Sequence, residues 1–96
     1  MNRNYVIVCN NHEGILKDAL LFWGHYTKNT EQRSYGGYTQ QFDKCEKYTK
    51  VEIESCGYDF EYYKKYTNIR EYEGNVYAKI DDLRAAGYRT LNVMIN

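Results

Sequence analysis

The chain has no proline, so its sharp turns fall to glycine, asparagine and aspartate, the residues that adopt turn backbone most readily. It has no excess of charge: thirteen basic and thirteen acidic side chains cancel. That balance removes the long-range field that draws proteins to duplex DNA or anionic membranes and leaves only a local patch to meet phosphate. No apolar run approaches the roughly 18 residues needed to span a bilayer. The apolar stretch over 5–9 is too short for a signal-peptide core. These absences point to a cytoplasmic protein, in the cytosol of the cell that makes it, with neither a membrane nor duplex nucleic acid among its partners. The three cysteines, Cys9, Cys45 and Cys56, are an odd number in a reducing compartment and read as buried or half-buried thiols without a disulfide.

Tyrosine is the residue in excess, with twelve against three Phe and one Trp. A buried Tyr hydroxyl must reach water or a partner, so part of this set lies at the edge of the core or on the surface. With 96 residues, residues 1–96 make a single domain able to bury roughly 60 to 65% of its unfolded surface without staples.

Residues 5–9 are β-favouring and bounded by asparagines, which predicts a central strand buried on both faces. Residues 11–23 fit a helical stripe with Asn11 as N-cap, but Gly14 in the first turn and the bulky run 20–23 oppose it. A strand over 19–26 is the preferred reading. It pairs, through a polar tip of five or slightly more residues, with a second strand over 33–39, in which Gly36 and Gly37 suggest a bulge or a close approach of backbone or ligand. Asp43 with Glu46 and Thr49 with Glu52 both match the capping box, and the second predicts a two-turn helix over 50–56. Tyr62, Tyr63 and Tyr66 stand at helical spacing behind Asp59, giving a helix over 59–66. A short strand over 69–73, a turn at 73–75, a strand over 76–79 and a helix over 80–86 ended by Gly87 follow. Residues 88–95 alternate as a strand. The fold class is therefore α+β, with a four- or five-stranded mixed sheet and two or three short helices.

The phrase FWGHYTKNTEQRSYGGYT followed by FDKCEKYTKVEIE resembles small proteins of unknown function encoded by phages and prophages of Gram-positive bacteria, over about a third of the chain. The positions that carry the likeness are Gly37, Tyr38, Thr39, Cys45, Tyr48, Thr49 and Glu52. The resemblance implies an accessory protein that acts by binding: an inhibitor of a host antiviral defence component, anti-CRISPR-like or related, or a protein that sequesters a nucleotide signal. It transfers no activity to a named residue.

Nucleophilic catalysis needs a Ser, Cys or Thr beside an oriented base, and neither His12 nor His25 stands in such a motif. No catalytic residue is assigned, and the chain is read as not an enzyme. Cys9 and His12 have a zinc-like spacing, yet Cys45 and Cys56 do not supply a second close pair, so no metal and no other cofactor is expected.

Two surfaces remain. Trp23, His25, Arg33, Tyr35, Tyr38 and Thr39 form a candidate ligand edge, in which a planar cation meets an anionic ligand such as a nucleotide and rings stack on a base. The same residues would serve equally as cross-strand aromatic pairs with Arg33 lying over a ring. Tyr62, Tyr63, Tyr66 and Arg70 form a candidate protein-binding face, from residue types that commonly anchor interfaces; the alternative is a solvated helix whose tyrosines cover the sheet. The partner is thus a host defence protein or a small anionic ligand, with a homo-oligomer left open.

Overall fold

The computed structural model describes residues 3–10, 20–28, 32–56, 60–62, 69–72 and 74–87. Strand β1 (Tyr5–Cys9) is buried along its whole length. Strands β2 (Phe22–Trp23), β3 (Tyr38–Thr39), β4 (Phe60–Tyr62) and β5 (Asn75–Lys79) complete a mixed sheet in the order β3-β2-β1-β5-β4. Helices α1 (Lys50–Cys56) and α2 (Ile80–Ala85) and two 3-10 turns, Phe42–Lys44 and Ile69–Glu71, accompany it. This is the expected α+β class with β1 at its centre.

Alternation along β1 divides the core in two, because successive side chains on a strand point to opposite faces. Val6 and Val8 join Phe22, Phe42, Cys45, Tyr62, Ile69, Val76, Ala78 and Leu83 on one side. Tyr5 and Ile7 join Tyr48 and Ile53 on the other, with Trp23 and Tyr77 packed against them. Helix α2 covers the first face through Leu83 and α1 covers the second through Ile53. Each such apolar side chain contributes roughly 1.5 to 3 kcal/mol when fully buried.

The helices start and stop where local chemistry dictates. Thr49 and Glu52 form the expected reciprocal cap: the Glu52 N–H donates to Thr49 Oγ1 at 3.2 Å, and the Thr49 N–H donates to Glu52 Oε1 at 2.8 Å. Helix α2 is followed by Gly87 at φ +80, the left-handed position that glycine occupies without a Cβ penalty.

Four expectations are corrected. Residues 60–62 are strand, not helix, since β4 pairs parallel with β5 and places Tyr62 opposite Ala78 in the core. That tertiary pairing outweighs a helical spacing with modest propensity. Residues 69–71 are a 3-10 turn rather than strand, with Ile69 buried and its carbonyl taken by Asn10 Nδ2 at 2.8 Å. Asp43 and Glu46 make no capping box, because Phe42–Lys44 is a single 3-10 turn whose N-cap, Gln41, makes no side-chain bond. The hairpin pairs Phe22 with Thr39 and Trp23 with Tyr38, so its strands are shorter than the expected 19–26 and 33–39, and most of the expected polar tip lies outside the described residues. Helix 11–23, the turn residue Glu73 and strand 88–95 lie wholly or largely outside the described residues; within the first of these, Phe22 and Trp23 are strand.

Candidate functional site

The connection between β2 and β3 doubles back without a ladder, and a buried carboxylate takes the place of one. Glu46 is fully buried. Its Oε2 accepts from the Ser34 N–H at 3.1 Å and from the Thr27 hydroxyl, and its Oε1 accepts from the N–H groups of Thr27 and Lys47, both at 3.2 Å. Arg33 Nη1 stands 3.2 Å from Oε2, and Arg3 Nη1 stands 3.7 Å from Oε1. A buried charge is tolerated only when paired and hydrogen-bonded, and this one has both conditions met. The bonds tie residues 27 and 34, on opposite limbs of the connection, to one side chain.

Arg33 extends this hub outward. Its side chain is only 8% exposed, and its guanidinium forks onto Glu52, with Nε 2.5 Å from Oε2 and Nη2 3.0 Å from Oε1. It also donates to the Thr27 hydroxyl at 3.1 Å and to the Lys47 carbonyl. Hydrogen bonding from Arg33 and from the Thr49 N–H holds the Glu52 carboxyl at about 2, against the opposing effect of burial. The planar cation assigned to an anionic ligand is therefore spent inside the molecule.

Tyr48 forms the floor. It exchanges backbone hydrogen bonds with Tyr5 at 3.0 and 2.8 Å, docking the segment onto the start of β1. Its hydroxyl donates to the Ser34 carbonyl at 2.6 Å. Arg33 lies 5.6 Å from its ring centroid and Tyr35 lies 5.5 Å from it. The reading of Arg33 lying over a ring is what the geometry displays.

Two glycines let the limbs close. A Cβ at Gly24, where φ is +83, would stand 2.6 Å from Tyr48 Oη and 2.8 Å from Glu46 Cβ. At Gly37, where φ is +85, it would run into the His25 imidazole. The Gly24 N–H donates to the Gly37 carbonyl at 2.8 Å, so the close approach suggested by the glycine pair is made by another backbone.

Above this support stand the exposed rings. Tyr26, Tyr35 and Tyr38 are 50%, 44% and 40% exposed, far more than core tyrosines such as Tyr48 and Tyr62. Tyr38 packs edge-on against Trp23, with centroids 4.9 Å apart. Trp23 itself is half-buried, and its indole N–H finds no acceptor among the described residues, so packing sets the ring's place. His25 is exposed and its backbone N–H donates to Ser34 Oγ at 2.9 Å. Thr39 uses its hydroxyl locally, accepting from the Gln41 N–H at 3.1 Å. Of the expected ligand edge, the structure gathers Trp23, His25, Tyr35 and Tyr38 at the surface of one loop pair and turns Arg33 inward.

The second expected surface is not assembled in the same way. Tyr62 is buried against β5, Arg70 is exposed, and Tyr63 and Tyr66 lie outside the described residues. Sequence reasoning missed Tyr26, for which an exposed position two residues after a glycine was the available signal. It also missed Glu46 as the hub, since the capping-box spacing explained that residue locally.

Cys9 and Cys45 are buried, whereas Cys56 is exposed, contrary to expectation; all three thiols are free. Burial pushes the Cys45 thiol up to about 11, with Lys47 opposing, which disfavours the reactive thiolate. Among the described residues no group of three or more His, Cys, Asp or Glu is placed to hold a metal ion, and His12 lies outside them. No helix among those residues is long and apolar enough to cross a membrane.

Comparison of the chain with protein-family models, with curated proteins and with solved structures finds no match in any of the three.

Proposed function

We propose that the protein acts by binding a protein partner through the aromatic edge of His25, Tyr26, Tyr35 and Tyr38, and that the partner is a host antiviral defence component which it inhibits. The observation that carries this reading is the pairing of exposed rings with a rigid base. Three tyrosines are at least 40% exposed; Tyr26 and Tyr35 adjoin residues whose N–H groups a fully buried glutamate holds, and Tyr38 is paired with Trp23 in the sheet. Tyrosine presents a large amphipathic surface at small cost in side-chain entropy, and preorganised backbone reduces the ordering cost of association.

The choice of a defence component rests on the resemblance to small phage and prophage proteins, together with a site that offers contact area rather than a nucleophile and base. The nucleotide-at-the-edge alternative loses its cation, because Arg33 is bound by Glu46 and Glu52. A partner presenting apolar and hydrogen-bond-accepting groups fits the tyrosines better than a free phosphate does.

The test is phage plating on a bacterial strain that carries an active defence system and expresses the protein. Wild type is expected to restore plating, and Tyr38→Ser and Tyr35→Ser to lose that effect while their thermal midpoints stay near wild type. A photoreactive residue at position 38 should capture one host defence protein, and the same residue at exposed position 85 should not. Full restoration of plating by the Tyr35→Ser, Tyr38→Ser double variant would refute the reading.

A further inference from the structure

A groove of about 730 Å³ runs between the start of β1, the 3-10 turn at Phe42 and the entry to α2. Four cations, Lys47, Lys50, Lys79 and Arg84, line it against one carboxylate, Asp81. In a chain of formal net charge zero, this is a marked local excess of positive charge. Two further acids, Glu46 and Glu52, are committed to Arg3 and Arg33. None of the four groove cations makes an ion pair among the described residues.

The cations are gathered, not scattered. Lys47 Nζ stands 4.3 Å from the centroid of the Phe42 ring and donates to the carbonyls of Phe42 and Cys45, the latter at 3.1 Å. Arg84 Cζ stands 5.4 Å from the same ring. Ring faces and carbonyls supply partial negative charge only, so two like charges share one ring without a counter-ion. Lys50, Lys79 and Arg84 are exposed, so each long side chain can swing to a ligand lying in the groove.

We propose that this groove binds a small phosphate-bearing anion of the polyphosphate class, the chain of charges found in nucleoside triphosphates. Several ammonium groups and a guanidinium spaced around an elongated groove match charges spaced along a phosphate chain. Phe42 is buried and already faced by two cations, so it offers no open face to a base. Recognition therefore rests on the phosphates, and inorganic tripolyphosphate and ATP should bind with similar affinity. The site is separate from the partner-binding edge except at Lys47, which also stands 5.8 Å from the Tyr26 ring centroid.

The experiment is isothermal titration of the full chain with sodium tripolyphosphate and with ATP at low ionic strength. One-to-one binding of both is expected. The Lys79→Gln, Arg84→Gln double variant should bind each anion roughly tenfold more weakly, and Lys50→Gln should weaken it less; both replace exposed side chains, and their thermal midpoints without ligand should match wild type. Binding should vanish at 1 M salt, where the screening length is about 3 Å. The Tyr35→Ser, Tyr38→Ser variant should bind both anions like wild type, which distinguishes failure of this site from failure of the edge. No binding of either anion, unchanged affinity in the double variant, or binding that survives 1 M salt would overturn the proposal.

Discussion

The two flanks of β1 are held by different physics. On the β5 side five residues pair in unbroken register, from Tyr5 opposite Lys79 to Cys9 opposite Asn75, and the side chains between them are mostly apolar and buried. On the β2 side one residue pair joins β1 to β2 and two join β2 to β3, so the ladder is too short to hold the long connection that follows. Glu46, Arg33 and Glu52, paired with one another, supplement it with charge-assisted bonds to backbone. The difference teaches how a small domain can keep part of its sheet irregular, and hence able to present rings outward, without leaving that part loose. A ladder fixes every residue in one plane; a buried carboxylate fixes a few backbone groups and leaves the rest to point where the turns send them.

Removing the hub is the harshest way to break the comparison. Glu46→Ala is expected to cost about 3 to 5 kcal/mol, because it leaves the N–H groups of Thr27, Ser34 and Lys47 without their acceptor and takes one of two carboxylates from the buried Arg33. Ile7→Val, on the same central strand, should cost about 1 kcal/mol through loss of one methyl group from the core. Denaturant midpoints of the two variants give the ratio directly.

The glycines come next. Gly24→Ala combines a left-handed backbone with contacts to Tyr48 and Glu46 that cannot be accommodated unchanged, and a loss of about 2 to 3 kcal/mol is expected. Gly87→Ala meets the same backbone sign but open space, so about 1 kcal/mol should suffice. Equal costs would mean that the Gly24 contacts relax freely.

Acid titration separates the flanks by pH. The Glu52 carboxyl is held at about 2, below its ordinary 4.5, first by the hydrogen bonds from Arg33. A depressed carboxylate contributes stability that is complete above the unfolded value, so this contribution should be intact above pH 4.5 and fade as pH falls towards 2. Glu52→Gln should flatten that limb of the stability profile in an acid-unfolding series. Smaller effects are expected from Thr49→Ala, about 1 kcal/mol through loss of the cap, and from Tyr35→Phe, about 0.5 kcal/mol, since its hydroxyl bond to Glu52 at 3.3 Å is exposed.

The sequence was legible where a local signal decided the outcome. The β-favouring run of β1, the Thr49 and Glu52 cap, and the glycine after α2 each carry their instruction within a few residues. It was illegible where partners distant in the chain decided. Strand β4 exists because β5 lies beside it, and no spacing within 59–66 records that neighbour. Glu46 looks like a capping acid until Arg33 and Arg3 are brought to it, and Arg33 looks like a ligand cation until Glu46 and Glu52 claim it. The exposed rings follow the same rule: a surplus of tyrosines was evident, but which of them the core would take depended on pairings distant in the chain, such as that of Tyr62 with Ala78.

The most direct measurement is native-state amide exchange of wild type and Glu46→Gln. If the Glu46 carboxylate holds the irregular flank, the variant should lose protection at Thr27, Ser34 and Lys47, whose amides it accepts from, while the amides of Val6, Val8, Val76 and Ala78 keep theirs relative to global unfolding. Equal loss on both flanks, or retained protection at Thr27 and Ser34, would contradict it.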